Sequence, residues 1–195
     1  LDNLALAYLV QELRPVLEGA YVNKVSEIKS GILKLKLHTK QGSKDIIITP
    51  SSVFTTNYSV AARHGKTNFA VALKKELYNK RIVGLEQHEN DRVLAIKFLE
   101  HTLVLEFIGD GNKMLIGKDG IALACERNEK WADRETKKGV PYKFPKQQGI
   151  NPSKLGAAGL GAAFKNSKRD AFRELLGSVN ISPQTAEEIF MGAGI

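Results

Sequence analysis

Between Ile32 and His38, Leu33, Leu35 and Leu37 alternate strictly with Lys34, Lys36 and His38. That period of two predicts a strand with one apolar and one wet face, which needs antiparallel partners and a cover for its apolar side. Neighbouring residues meet both needs. Tyr21 to Ile28 and Asp45 to Thr49 read as strands, with Gln41-Gly42 as a turn. Leu4, Leu9, Val10, Leu13 and Leu17 recur at helical spacing, so a helix is expected over 3–18, ending near Gly19 and bent or shortened by Pro15.

The same grammar continues from Asn68 to Ile116. Phe69, Leu73 and Leu77 predict a helix over 68–79, and strands are expected near 82–88, 93–99, 102–108, 113–116 and 121–125. Lys118-Asp119-Gly120 makes a tight hairpin turn, and Gly109-Asp110-Gly111-Asn112 a second turn. Residues 50–66 lack periodicity, hold Ser, Thr and Asn with Arg63, His64 and Lys66, and read as a long surface loop of the kind that often binds, with Arg63 and Lys66 as candidate phosphate contacts. The fold class over 1–148 is therefore α+β: an antiparallel sheet or sandwich with flanking helices.

Glu126 to Gln148 turns polar around Trp131, Pro141 and Pro145 and reads as a connector. Residues 149–195 then form a second, all-helical unit. A Gly/Ala-rich stretch, Gly156 to Ala163, leads into a helix over 168–176 that Gly177 stops. Ser182 and Pro183 suit the N-cap and first position of another helix, with Gly192 and Gly194 at its end. Two helices on a short Gly-containing turn can present backbone N–H groups to phosphate, and Lys165, Lys168, Arg169 and Arg173 add charge. The same pair could equally serve only to pack on the first unit.

Charge narrows the class of partner. Lys and Arg number 29 against 21 Asp and Glu, a net +8 with pI about 9.5, which favours a polyanion: nucleic acid first, an anionic membrane surface second. No apolar run approaches the roughly 20 residues of a spanning helix. The Leu1-Asp2-Asn3 start lacks the layout of a secretory signal, the single cysteine points to a reducing, cytoplasmic setting, and the missing Met to a trimmed chain. The single Cys125 excludes an intramolecular disulfide or a zinc site on paired thiolates, and His38, His64, His88 and His101 lack ligand spacing. No metal or small-molecule cofactor is expected.

Enzyme signatures fail on inspection. Gly111 to Lys118 resembles a phosphate loop, but five residues separate Gly111 from Gly117, and Asp119 stands where a magnesium-binding hydroxyl belongs. Gly156, Gly159 and Gly161 have the wrong order for a dinucleotide fingerprint, no Gly-x-Ser-x-Gly elbow exists, and Cys125 lies in an apolar strand without an assigned histidine. No catalytic residue is assigned, and binding outranks catalysis. The Asn90-Asp91-Arg92 triplet is the sharpest binding candidate. Arg suits phosphate or a guanine edge, and Asp accepts from amino groups or ribose hydroxyls. The plain alternative is a solvated turn worth under ~1 kcal/mol. Asp2 has a plain alternative too, as a helix cap, and Lys34 and Lys36 as a solvated strand face.

Taken in order, several segments resemble the N-terminal half of the NFACT family of ribosome quality-control factors, which includes the nuclear export mediator factor. They are Leu1-Asp2 before a helix with Glu12-Leu13-Arg14; Phe69-Ala70 with Leu73-Lys74-Lys75 and Leu77; Asp91-Arg92-Val93; Leu103-Val104-Leu105-Glu106-Phe107; Gly109-Asp110-Gly111-Asn112; Gly139-Val140-Pro141-Tyr142; and Ala186-Glu187-Glu188-Ile189 with Ala193-Gly194-Ile195. The resemblance implies an N-terminal domain over 1–148 similar to that of formamidopyrimidine-DNA glycosylase, then a helix-hairpin-helix-like domain over 149–195. It also implies partners: tRNA, the large ribosomal subunit with its rRNA, and the nascent chain-tRNA that obstructs it. Charged tRNA, alanyl-tRNA in the bacterial case, is recruited for template-free extension of the stalled peptide. By the same resemblance Asp2, Asp91 and Arg92 correspond to the family's functional acidic residue and Asp-Arg pair. The Gly-Asp-Gly-Asn turn is similar to archaeal and eukaryotic members rather than the bacterial His-Ser-Asn version, and the family's coiled coil is absent. Two other classes compete. A DNA glycosylase would use an N-terminal proline followed by glutamate, where this chain has Leu1-Asp2; an adhesion protein of the fibronectin-binding kind would need export.

Overall fold

Asp2 starts the first helix, its Oδ1 accepting from the Ala5 N–H at 2.7 Å, and α1 runs Asn3–Leu17 with Pro15 inside its last turn. A computed structural model describes residues 1–62, 67–147, 149–165 and 167–194. Four antiparallel strands follow α1: β1 (Tyr21–Lys29), β2 (Ile32–Thr39), β3 (Gly42–Ile48) and β4 (Val53–Thr56), paired in sequence order. The expected loop over 50–66 thus contains a strand. Short and flanked by polar residues, β4 shows no periodicity of its own but continues the ladder from Ile48↔Val53 to Asp45↔Thr56. Arg63, His64 and Lys66, expected in that loop, lie outside the described residues.

Thr67 caps α2 (Asn68–Leu77), and the buried Glu27 carboxylate accepts from the Thr67 N–H at 3.1 Å. A second meander of five strands completes the body: β5 (Ile82–Gln87), β6 (Val93–Phe98), β7 (His101–Glu106), β8 (Asn112–Gly117) and β9 (Ala122–Cys125). One core unites Leu6, Val10 and Leu13 of α1 with Leu33, Leu35 and Leu37 of β2, Leu73 and Leu77 of α2, and the inner residues of β5 to β8. Truncating one such Leu to Ala costs roughly 2–5 kcal/mol. On its other face the second sheet buries Val93, Val104, Met114, Ile116 and Ala122 beneath Tyr142. Burial on both faces explains why β6 and β7 read as nearly continuous apolar runs rather than alternations.

Gly111 is required by geometry. Its φ is +70°, and a Cβ there would lie 2.0 Å from the Pro50 carbonyl oxygen. The neighbouring Asn112 is buried: its Nδ2 donates to the Arg127 carbonyl and to Glu129, and its Oδ1 accepts from the Lys113 and Arg127 amides. Asn112 thereby ties the expected connector to the sheet. The connector itself contains a short hairpin, β10 (Glu129–Lys130) with β11 (Glu135–Thr136).

The C-terminal part is helical, and it differs in detail from expectation. A 3-10 turn at Pro152–Lys154 precedes α3 (Ala157–Lys165), so the Gly/Ala-rich stretch is itself a helix. Capped by Asp170, α4 (Ala171–Ser178) runs through Gly177, which adopts no left-handed conformation, and ends at Val179. Ser182 and Pro183 open α5 (Pro183–Ala193) as expected; Gly192 lies inside it, and Gly194 closes it at φ +72°. The link from α4 to α5, Val179 to Ser182, contains no glycine. A bridge between Ile150 and Val179 holds it instead. Leu175, Val179 and Ala186 form the small core of this unit.

Candidate nucleic-acid interface

Three asparagines join the helical unit to the body. Asn3 Nδ2 donates to the carbonyls of Asn90 and Asn180, Asn90 Nδ2 donates to the Asn180 carbonyl at 3.2 Å, and Asn180 Nδ2 returns a bond to the Asn90 carbonyl at 2.9 Å. Asn3 and Asn90 are buried. Neither the pattern nor the chemistry of Asn90 distinguished this role in the sequence, since its two partners, Asn3 and Asn180, are far from it along the chain.

Asp2 bonds across the same junction. While Oδ1 caps α1, Oδ2 accepts from Ser182 Oγ at 3.0 Å and Thr185 Oγ1 at 3.3 Å at the start of α5. Burial pushes the Asp2 pKa up, but the Ala5 amide, the two hydroxyls and the nearby terminal amine more than offset it and hold the carboxyl below its usual value. Asp2 is therefore ionised and largely satisfied. It lines a polar cleft of about 570 Å³ together with Arg92, Asn180 and the first residues of α5.

The Asp91-Arg92 pair is held by its backbone. Asp91 N–H donates to the His88 carbonyl at 3.0 Å, Gln87 Nε2 donates to the Asp91 and Asn3 carbonyls, and Phe107 N–H donates to the Arg92 carbonyl at 2.8 Å. The two side chains part company. Asp91 Oδ1 accepts from the Arg92 N–H at 2.7 Å, and its charge is felt by Tyr142; the Arg92 side chain is exposed on the cleft and, among the described residues, makes no ion pair. Asp2 and Arg92 thus come together, whereas Asp91 does not line the cleft. Lys168, Arg169 and Arg173 are exposed near the start of α4 and do not line it either; Arg173 pairs with Asp170 at 3.3 Å.

A second acid-arginine pair lies inside the body. Arg134 grips Glu106 with both nitrogens, at 2.6 and 2.9 Å, the side chains being only 8% and 3% exposed. Tyr142 Oη donates to the same carboxylate at 2.8 Å, and Trp131 stacks 4.0 Å from the guanidinium. Burial and the Glu106 charge push the Tyr142 hydroxyl far up. The same two causes, burial first, raise the Cys125 thiol to about 11, which suits a packing role rather than a nucleophilic one. Lys34 corrects another expectation: it is 14% exposed, pairs with Asp45 at 3.4 Å and donates to the Val60 carbonyl, so only Lys36 of the two is freely solvated. Among the described residues, no group of three His, Cys, Asp or Glu side chains is placed to hold a metal, and no helix is long and apolar enough to cross a membrane.

The fold has close counterparts among solved structures. The N-terminal domain of the fibronectin-binding protein PavA from Streptococcus pneumoniae superposes with a TM-score of 0.84 over 96% of this chain and 77% of that one, at 21% identity. The N-terminal part of the fibronectin/fibrinogen-binding protein from Streptococcus suis gives 0.84 over 96% of this chain and 78% of that one, at 20% identity. In sequence, the archaeal Rqc2 homolog aRqcH of Methanocaldococcus jannaschii is 28% identical over 176 residues, 85% of this chain and 26% of the relative. The ribosome quality control complex subunit 2 of Saccharomyces cerevisiae is 29% identical over 132 residues, 65% of this chain and 13% of its own length. The chain therefore spans about a quarter or less of these two relatives. The family description "NFACT N-terminal and middle domains" matches residues 2–195, and the chain accordingly belongs to the NFACT family.

Proposed function

We propose that this chain is the tRNA- and ribosome-engaging N-terminal part of a ribosome quality-control factor, acting as a binding module and not as an enzyme. Its partners on this reading are tRNA and the large ribosomal subunit, with its rRNA and the obstructing nascent chain-tRNA; the factor recruits charged tRNA for template-free C-terminal tailing. Residues 1–148 form a domain similar to the formamidopyrimidine-DNA glycosylase N-terminal domain, residues 149–195 a helix-hairpin-helix-like domain, and the protein works in the cytoplasm.

The observation that carries the reading is Arg92: a guanidinium without an ion-pair partner among the described residues, exposed on a polar cleft in a chain of net charge +8. A planar cation left open on a polar cleft suits a phosphodiester or a base edge. Asp2 takes part by fixing the α5 side of the cleft, and Asp91 by holding the backbone from which Arg92 projects, while Lys168, Arg169 and Arg173 offer phosphate contacts beyond it. Arg63 and Lys66 belong to the same proposal on sequence alone.

The test is a titration of the 195-residue chain against tRNA, duplex DNA and anionic vesicles at two salt concentrations, with soluble fibronectin as a further arm. Saturable binding selective for tRNA, weakened by Arg92→Ala and Asp91→Ala, supports the reading. Base excision from DNA, or fibronectin binding without tRNA binding, overturns it.

A further inference from the structure

The outward face of the first sheet is a cationic surface on which several cations make no ion pair. Antiparallel register puts Lys24 directly opposite Lys36, and in the next row Tyr21 opposite His38, with Arg81 bridged to Tyr21 on the other side. All five side chains belong to exposed residues, Tyr21 at 42%. The carboxylate next in line is Asp45, opposite Lys36, and it is engaged by Lys34. Among the described residues, Lys24, Lys36 and Arg81 make no ion pair. Like charges directly opposite in an antiparallel pair are destabilising. Asp45 is shared with Lys34, so among the described residues neither Lys24 nor Lys36 has an ion-pair partner of its own.

We infer that this face is a second RNA-contact surface, in which Lys24, Lys36 and Arg81 receive phosphodiester oxygens and Tyr21 stacks on an unpaired base. Charge complementarity selects a polyanion, and the exposed aromatic beside the cations is the combination that serves unpaired nucleic acid. The surface goes beyond the Arg92 cleft. Helix α1 separates them: Asp2 at its N-terminus lines the cleft, while its C-terminus leads through Gly19 to Tyr21, and its 15 residues span about 22 Å. An RNA that touches both must reach at least along that helix.

The test measures tRNA affinity of the 195-residue chain over a range of salt concentrations, for the wild type and for Lys24→Gln/Lys36→Gln. Two lost phosphate contacts lower the magnitude of the log K against log salt slope by about 1.4–1.8. The melting temperature holds or rises, because the cross-strand repulsion is removed. Lys24→Arg/Lys36→Arg retains the slope, and Tyr21→Leu weakens a single-stranded RNA more than a duplex. The slope change persists in an Arg92→Ala background, since distant sites act additively; that result upholds this surface whether or not Arg92 binds RNA. An unchanged slope in a folded Gln variant overturns the inference. So does a loss confined to binding phosphatidylserine-containing vesicles, which would assign the face to a membrane.

Discussion

The chain holds two acid-arginine constellations with opposite fates. Glu106 and Arg134 are brought together by strand β7 and the segment ahead of β11, packed under Trp131 and joined by Tyr142, so that both carboxylate oxygens find partners. Asp91 and Arg92 are adjacent in sequence, yet they diverge, and Arg92 stays exposed. Sequence adjacency therefore says little about pairing. Burial decides whether a charged pair holds the fold or is left for a ligand.

That contrast can be broken by substitution. Arg134→Ala strands a buried carboxylate, and urea unfolding is expected to show a loss of about 3–5 kcal/mol. A loss under 1 kcal/mol would mean that Glu106 finds water or another partner. Asn3→Ala removes both bonds from the buried Asn3 amide to the Asn90 and Asn180 carbonyls and is expected to cost about 1–3 kcal/mol. Faster hydrogen exchange at the Ile150 and Asn180 amides would locate that loss at the junction.

Asp2→Asn keeps a capping oxygen, since Asn ranks with Asp at an N-cap, but removes the charge at the start of α1, so it is expected to cost about 0.3–1 kcal/mol near neutral pH. Because the folded pKa of Asp2 lies below its ordinary 3.8, its contribution is present above that value and is lost as pH falls through the folded pKa. The stability gap between wild type and Asp2→Asn should therefore close in acid. A gap that stays constant with pH would remove the charge from the explanation. Smallest of all, Arg92→Ala should change stability by no more than about 0.5 kcal/mol.

Much of the architecture was legible in the residues. The alternation at Leu33, Leu35 and Leu37 located β2, the spacing from Leu4 to Leu17 located α1, and Ser182-Pro183 marked the start of α5, because those signals are local. β4 was invisible, since its order comes from pairing with Ile46 and Ile47 rather than from its own four residues. Gly177 misled for a similar reason: a glycine permits a helix stop but does not force one. The Asn3-Asn90-Asn180 clamp and the Glu106-Arg134-Tyr142 network join residues far apart in the chain, so single-sequence reading had no means to pair them. Asp91 and Arg92 stood out by charge, but their divergence depends on backbone bonds from His88, Gln87 and Phe107.

The most direct measurement is the tRNA dissociation constant of Arg92→Ala beside that of the wild-type chain, taken at one salt concentration with unfolding curves for both. An open, ligand-facing guanidinium requires weaker binding by about 1–3 kcal/mol with an unchanged unfolding midpoint. Equal affinity, or a loss of affinity that merely follows a loss of fold, would contradict it.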